Sequence, residues 1–289
     1  MSRVVVLGDL MVDVVVRLSG PLARGSDVPA RISLHGGGSA ANAAAWLAAA
    51  GAEPVLIARV GDDERGRSAA DELRAAGVDA RLVTDPELST GTCLVLVGPD
   101  GERTMAPDPG TNDALSEEDL DAELLAGGRH LHVSGYALLR EGSRPAARSA
   151  IARARAAGMS VSVDPSSSAL LSADFLDHSE GATLLLPNAS EAHALTGHSD
   201  PELAGRELAR RYGEVVVKLG PGGALWTDGE AVLRTAAEPV EEVVDSTGAG
   251  DAFAAGLLGE RVRGGGVAES LAAGCRLAAR AVVTPGARP

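Results

Sequence analysis

The chain has 289 residues, 45% of them hydrophobic, which is enough to bury one sizeable core and fits a single domain over residues 1–289. With 40 acidic and 26 basic residues the net charge is −14, which repels phosphate backbones and anionic lipid and argues against nucleic acid and membrane as partners. Cys93 and Cys275 make no disulfide framework, and the apolar run 4–7 is too short for a signal peptide or a membrane span, so a reducing, cytoplasmic compartment is expected.

In chain order, β-branched runs predict strands at 4–7, 54–59, 130–134, 160–163, 183–186 and 215–219. Between them, Ala/Leu/Arg-rich stretches predict helices at 40–50, 65–76, 144–157 and 203–212, and two more at 249–262 and 266–282 close the chain. Such alternation predicts a doubly wound α/β fold with a mainly parallel sheet. Segments 12–34 and 92–106 break the rhythm. They read as strands with turns, Gly98-Pro99-Asp100-Gly101 being a hairpin signal, and predict a small β-sheet lid. An apolar lid face also suits pairing with a second copy, a homodimer through the lid.

The strongest motif is Asp245-Ser246-Thr247-Gly248-Ala249-Gly250-Asp251, where a short apolar strand runs into glycines and then a long Ala-rich helix. Gly248 and Gly250 permit close backbone approach, so first-turn amides can face an anion. A carboxylate there competes with phosphate for the helix dipole. A general base explains Asp251, because the dipole would keep it ionised and ready to accept a hydroxyl proton. The alternative is a helix cap. A second feature is Lys218: the other 25 basic residues are arginine, so lysine occurs once, beside Leu219-Gly220-Pro221-Gly222-Gly223 at a strand end.

That string resembles the C-terminal signature of the PfkB/ribokinase family of carbohydrate kinases. Gly36-Gly37-Gly38-Ser39-Ala40-Ala41-Asn42 resembles the family's N-terminal glycine signature, and Asn188-Ala189-Ser190-Glu191 its Asn-x-x-Glu motif. Val217-Lys218-Leu219-Gly220 and Gly286-Ala287-Arg288 fall in family order, so the resemblance spans the chain. It implies a ribokinase-like kinase moving the γ-phosphoryl group of ATP to a hydroxyl of a sugar or keto-deoxy sugar acid. It casts Asp251 as base and the amides of Gly248, Ala249 and Gly250 as the anion hole. Asn188, Lys218, Gly220 and Gly223 are implied at ATP, with Glu191 holding Mg²⁺ through water. An Asn cap with Glu three residues on explains Asn188 and Glu191 equally well.

On the acceptor side the resemblance implies Asp13, Gly37, Gly38 and Asn42. Asp9 and Met11 share a strand face with Asp13 by alternation and would line the pocket. Tyr136 stands where ribokinases supply an acidic sugar ligand, and Arg103 on the lid would reach a substrate carboxylate or ring. Asp245 and Thr247 resemble the start of a monovalent-cation (K⁺) site whose other ligands are carbonyls near Ala281, Thr284 and Gly286; a ligand from any tail beyond Pro289 is lacking. A nucleoside kinase of the adenosine, inosine or pseudouridine type would share every motif, with Tyr136 or Trp46 stacking on the base. A non-catalytic sugar-binding regulator is a further alternative, opposed by the intact Asp251 motif. Gly36-x-Gly38-x-x-Ala41, followed by Asp62 and Asp63, also fits a dinucleotide fingerprint, but it follows a lid strand instead of the first core strand. His130 and His132 share a strand face without a third metal-type ligand and read as core or surface residues.

Overall fold

The computed structural model describes residues 3–121 and 128–289. The first strands in chain order are β1 (Arg3–Leu7), β2 (Met11–Leu18), β3 (Ala30–Gly37), β4 (Glu53–Gly61), β5 (Asp79–Asp85), β6 (Gly91–Val97) and β7 (Arg103–Asp108). They are followed by β8 (His130–Ser134), β9 (Ser160–Asp164), β10 (Leu184–Leu185), β11 (Glu214–Lys218), β12 (Ala224–Thr227) and β13 (Val232–Thr235). The helices of eight residues or more are α1 (Ser39–Ala49), α2 (Glu64–Ala75), α3 (Arg144–Ala156), α4 (Ala189–Thr196), α5 (Pro201–Tyr212), α6 (Ala249–Val262) and α7 (Val267–Val282). No described helix is long and apolar enough to cross a membrane.

Nine strands form one sheet in the order β13-β12-β11-β10-β9-β8-β1-β4-β5. Its ladders from β11 to β5 are parallel, and β12 and β13 add an antiparallel edge. Valine-rich strands such as β1, buried on both faces, are what a parallel sheet covered by helices requires. One core cluster lies against α1, α6 and α7, and the other against α3 and α5. Aromatics make up only 2% of the chain, so core volume is filled by close approach of small residues. On α6, a Cβ added to Gly256 would lie 2.4 Å from the Ala273 carbonyl oxygen on α7. Helix ends follow local chemistry: α5 starts at Asp200, whose side chain accepts from the Glu202 amide, carries Pro201 in its first turn, and stops at Gly213.

The segments predicted as a lid form a separate four-stranded sheet, β3-β2-β6-β7. Asp13, Val15, Val95 and Val97 on its inner face line a cleft with Asp245, Thr247 and Gly286 of the main body. Its outer face leaves Ile32 at 68% and Leu34 at 64% exposure.

Candidate active site

Chain order reverses between β1 and β8 in the large sheet, and the carboxyl ends of the strands around this switch point carry the polar residues. Asp9 follows β1, Ser134 ends β8, Asp164 ends β9 and Lys218 ends β11. The N-terminus of α6 comes to the same place.

Gly248 begins α6 in the left-handed conformation with φ 75°, and a Cβ there would lie 2.4 Å from the Ala287 carbonyl oxygen. Only glycine fits, and the first-turn amides beyond it lack a helical acceptor. Asp251, three residues on, does not cap the helix. Its Oδ1 accepts from Ser39 Oγ at 2.8 Å and its Oδ2 from Asn42 Nδ2 at 3.0 Å. The capping alternative is therefore excluded, and the glycine signature before α1 is brought onto the carboxylate after Gly250. The dipole does not decide the charge of Asp251. Burial first, then the negative charge of Asp164, push its carboxyl up to about 7 against the opposing pull of Asn42, Ser39 and Lys218.

Lys218 is largely buried and ion-paired with Asp164, a residue that the sequence did not single out. Burial disfavours its ammonium, but Asp164, Glu191 and Asp251 outweigh that and hold its pKa above the ordinary lysine value. Its Nζ would stand 3.3 Å from a Cβ on Gly250, so the only ammonium side chain in the chain lies against the glycine loop. Asn188 and Glu191 form a full capping box on α4, Asn188 Oδ1 accepting from the Glu191 amide at 2.9 Å and Glu191 Oε2 from the Asn188 amide at 2.8 Å. Glu191 is nonetheless buried beside Asp164, and burial together with that neighbour pushes its carboxyl up to about 7. The turn after Lys218 separates its glycines. Gly220 faces open space, whereas a Cβ on Gly223 would lie 2.0 Å from the Thr235 carbonyl oxygen.

On the other side of Asp251, Asp13 lies within 2.3 Å of where a Gly37 Cβ would be, so the middle glycine of the triplet is required for its carboxylate to sit there. Burial pushes the Asp13 carboxyl up to about 6, with Arg288 opposing. Arg288 is a second residue without a role assigned from sequence. It donates to Asn42 Oδ1 at 3.2 Å, to the Gly37 carbonyl at 2.8 Å and to Glu72 at 2.8 Å, and so fixes Asn42 in the orientation that donates to Asp251. Gly38, at φ 90°, is the residue from which α1 starts.

Several residues are placed differently from expectation. Asp9 lies in the loop before β2 and not on it; its carboxylate accepts from the Ser39 amide at 2.9 Å, the Ala40 amide at 3.4 Å and Ser134 Oγ at 2.7 Å. It supplies the cap that Gly38 lacks. Met11 lies buried on the inner face of the small sheet, clustered with Cys93, Val95 and Val97, the last two of which line the cleft. Trp46 is 2% exposed and donates to the Ala287 carbonyl at 2.9 Å, so it cannot stack on a base. Tyr136 has Arg140 over its ring at 5.3 Å, and burial with the charges of Asp9 and Asp251 pushes its phenol up to about 12. His130 and His132 are core residues hydrogen-bonded to Ser160 and Ser162. The dinucleotide reading loses its acids: Asp63 caps α2 through the Gly66 amide, and Asp62 pairs with Arg67 at the surface.

Arg103 does cross from β7 to the main body, and its partners there are protein groups. Its guanidinium contacts Asp245 Oδ1 and Thr247 Oγ1, and Ser246 Oγ at 2.6 Å. Asp245 Oδ2 accepts from the Gly286 amide at 3.2 Å.

This arrangement recurs in known proteins. The chain is 34% identical over 275 residues to the ATP-dependent ribose-1-phosphate kinase of Halopiger xanaduensis, covering 94% of this chain and 88% of that one. Its structure is similar to adenosine kinase from Sinorhizobium meliloti, with a TM-score of 0.91, 26% identity and coverage of 100% and 96%. An E. coli protein assigned as a ribokinase II and solved with ATP and Mg²⁺ superposes with a TM-score of 0.88 at 26% identity, over 99% and 94% of the two chains. The family model of the pfkB carbohydrate kinases matches residues 1–289, end to end with the motifs that meet at Asp251, and the chain belongs to that family.

Proposed function

We propose that this kinase transfers the γ-phosphoryl group of ATP to a hydroxyl of a sugar-like acceptor, with Asp251 as general base. The observation that carries the reading is the uncapped Asp251 carboxylate, held by Ser39 and Asn42 beside the glycine-initiated turn of α6. The acceptor oxygen forms a bond to the γ-phosphorus as its proton passes to Asp251, and the bond from that phosphorus to the ADP oxygen breaks. The amides of Gly248, Ala249 and Gly250, with Lys218 beside them, meet the charge on the transferring group. Glu191 is buried and uses only Oε2 in the capping box, so its Oε1 would hold Mg²⁺ through water. When bound with ATP, Mg²⁺ supplies neutralisation of the phosphate oxygens. Asn188 and the open side of Gly220 border the nucleotide in this reading.

The acceptor enters between Asp13, Asn42 and the small sheet, which acts as the lid. Arg17 and His35 on the lid face the same cleft as Asp13, which suits a sugar bearing an anionic group, a sugar acid or a sugar phosphate. The relative named as a ribose-1-phosphate kinase agrees with that class. A nucleoside acceptor is the second reading, supported by the similarity to an adenosine kinase and opposed by the buried Trp46. ADP release measured across sugars, sugar acids, sugar phosphates and nucleosides separates the two. Silence across that panel from folded, ATP-binding protein rejects the kinase reading.

Asp13→Ala should raise KM for the acceptor at least ~10-fold with KM for ATP little changed, because buried hydroxyl contacts carry specificity. Equal effects on both substrates would place Asp13 outside the acceptor pocket. The exposed apolar face around Ile32 and Leu34 is proposed to pair with a second copy. Light scattering should give twice the mass of one chain, and a monomer mass at micromolar concentration would refute the pairing.

A further inference from the structure

The loop 245–247 leads directly into the turn of α6, so whatever holds it also sets the position of the amides of residues 248–250. Two of the groups that a monovalent cation would use here, the Asp245 carboxylate and the Ala281 carbonyl, are already taken up by protein donors. Asp245 Oδ1 accepts from the Thr247 amide at 2.9 Å and from Thr247 Oγ1 at 2.7 Å, and its Oδ2 faces the Gly286 N–H at 3.2 Å. The Ala281 carbonyl accepts from the Thr284 amide at 3.3 Å and from Thr284 Oγ1 at 3.2 Å. A hard cation needs oxygen lone pairs turned toward it, and these are turned toward N–H and O–H donors.

A half-buried carboxylate still needs a counter-charge, and Arg103 provides it. The guanidinium meets Asp245, Ser246 and Thr247 together, touching each residue of the loop through a side-chain oxygen. A planar fork with fixed charge matches three oxygens in one place better than a compact ammonium would. Arg103 belongs to β7, so this charge comes from the small sheet and is covalently part of the protein.

We infer that Arg103 is the resident cation of the anion-hole loop: a positioning residue that takes the place of a monovalent metal ion and makes the enzyme independent of K⁺. The inference rests on the kinase reading for its activity arm only. Thermal unfolding reads the loop's cation need with no turnover, so a failed acceptor panel and a failed inference give different results.

The test compares KCl with tetramethylammonium chloride at equal ionic strength. For the wild-type protein, Tm and kcat/KM should agree between the two salts to within about twofold in rate. Arg103→Ala should lower Tm and reduce kcat/KM by ~10–100-fold, the scale of one charge-assisted hydrogen-bond set. Low-millimolar methylguanidinium should restore part of both, whereas Arg103→Lys, charged but without the fork, should fall between wild type and Arg103→Ala. Activation or stabilisation of the wild type by K⁺ beyond threefold in rate or a reproducible rise in Tm would overturn the inference, as would an Arg103→Ala protein equal to wild type in Tm and kcat/KM. If Arg103→Ala does not fold, the wild-type salt series alone decides.

Discussion

Asp251→Asn lowers kcat by ~10²–10⁴-fold, the range for loss of a positioned general base, with ATP affinity little changed. The amide keeps the shape of the side chain and can still bond Ser39 and Asn42, so the turn of α6 stays in place while the proton acceptor is gone. Wild-type protein supplies a second signature. The base works only when ionised, and the Asp251 carboxyl sits at about 7. As pH falls through that value the protonated, inactive fraction grows, and kcat/KM should drop ~10-fold per pH unit on the acid side. The variant should lose this limb. A fall in kcat of less than threefold, or an acid limb unchanged in Asp251→Asn, would remove Asp251 from the chemistry.

Lys218→Met strikes at both stability and nucleotide use. The ammonium is the counter-charge of Asp164 and also lowers the pKa of Glu191 and Asp251. Removing one partner of a buried pair leaves the other uncompensated, at a cost of ~3–5 kcal/mol. The acid limb of kcat/KM should move to higher pH, because Asp251 loses a neighbour that favours its ionised form. Pairing the change with Asp164→Asn should restore much of the stability and none of the affinity for ATP, which separates a structural role from a role at phosphate. Lys218→Arg should also impair ATP use. A Cβ at Gly250 would already stand 3.3 Å from Nζ, and a guanidinium is larger than the ammonium that fits against that loop. A Lys218→Met protein with wild-type Tm and wild-type KM for ATP would show the lysine to be incidental.

Much of this was readable in advance. The 2.0 and 3.6 periodicities predicted the core of the sheet, α1 to α3, α5 and the final helix pair within a residue or two. The absence of helical pattern in 12–34 and 92–106 predicted the small sheet. Of the strands that escaped, β5 and β13 are the two edges of the sheet and carry charged residues, and β12 is a buried strand of four residues, too short to show a period. At the site, local strings were legible and long-range partners were not. Asp164 pairs with a lysine 54 residues away, and Arg288 reaches Asn42 across 246 residues, so no spacing rule connects them. Alternation from Asp13 reaches Asp9 only if the strand continues two residues upstream of Met11, where β2 begins; α1 begins on a glycine with no side chain, and the Asp9 carboxylate serves as its cap. The ionisation of Asp251 is not legible in the sequence for a similar reason. Sequence shows a helix start but neither burial nor the Asp164 charge, and those outweigh the dipole.

The lone lysine has a practical consequence. Lys218 is the only side-chain amine in the chain, and its Nζ sits against the glycine loop at Gly250 with 13% side-chain exposure. Every other basic side chain, including all those on the outer surface, is a guanidinium or an imidazole. Amine-selective acylation or reductive alkylation therefore has a single side-chain target, apart from the chain's α-amino group, and that target borders the proposed phosphate position. The extent of labelling at Lys218, read by peptide mass, becomes a direct count of vacant sites: slow in free protein because Asp164 holds the ammonium protonated, slower still with nucleotide bound, and fast once Asp164→Asn releases it.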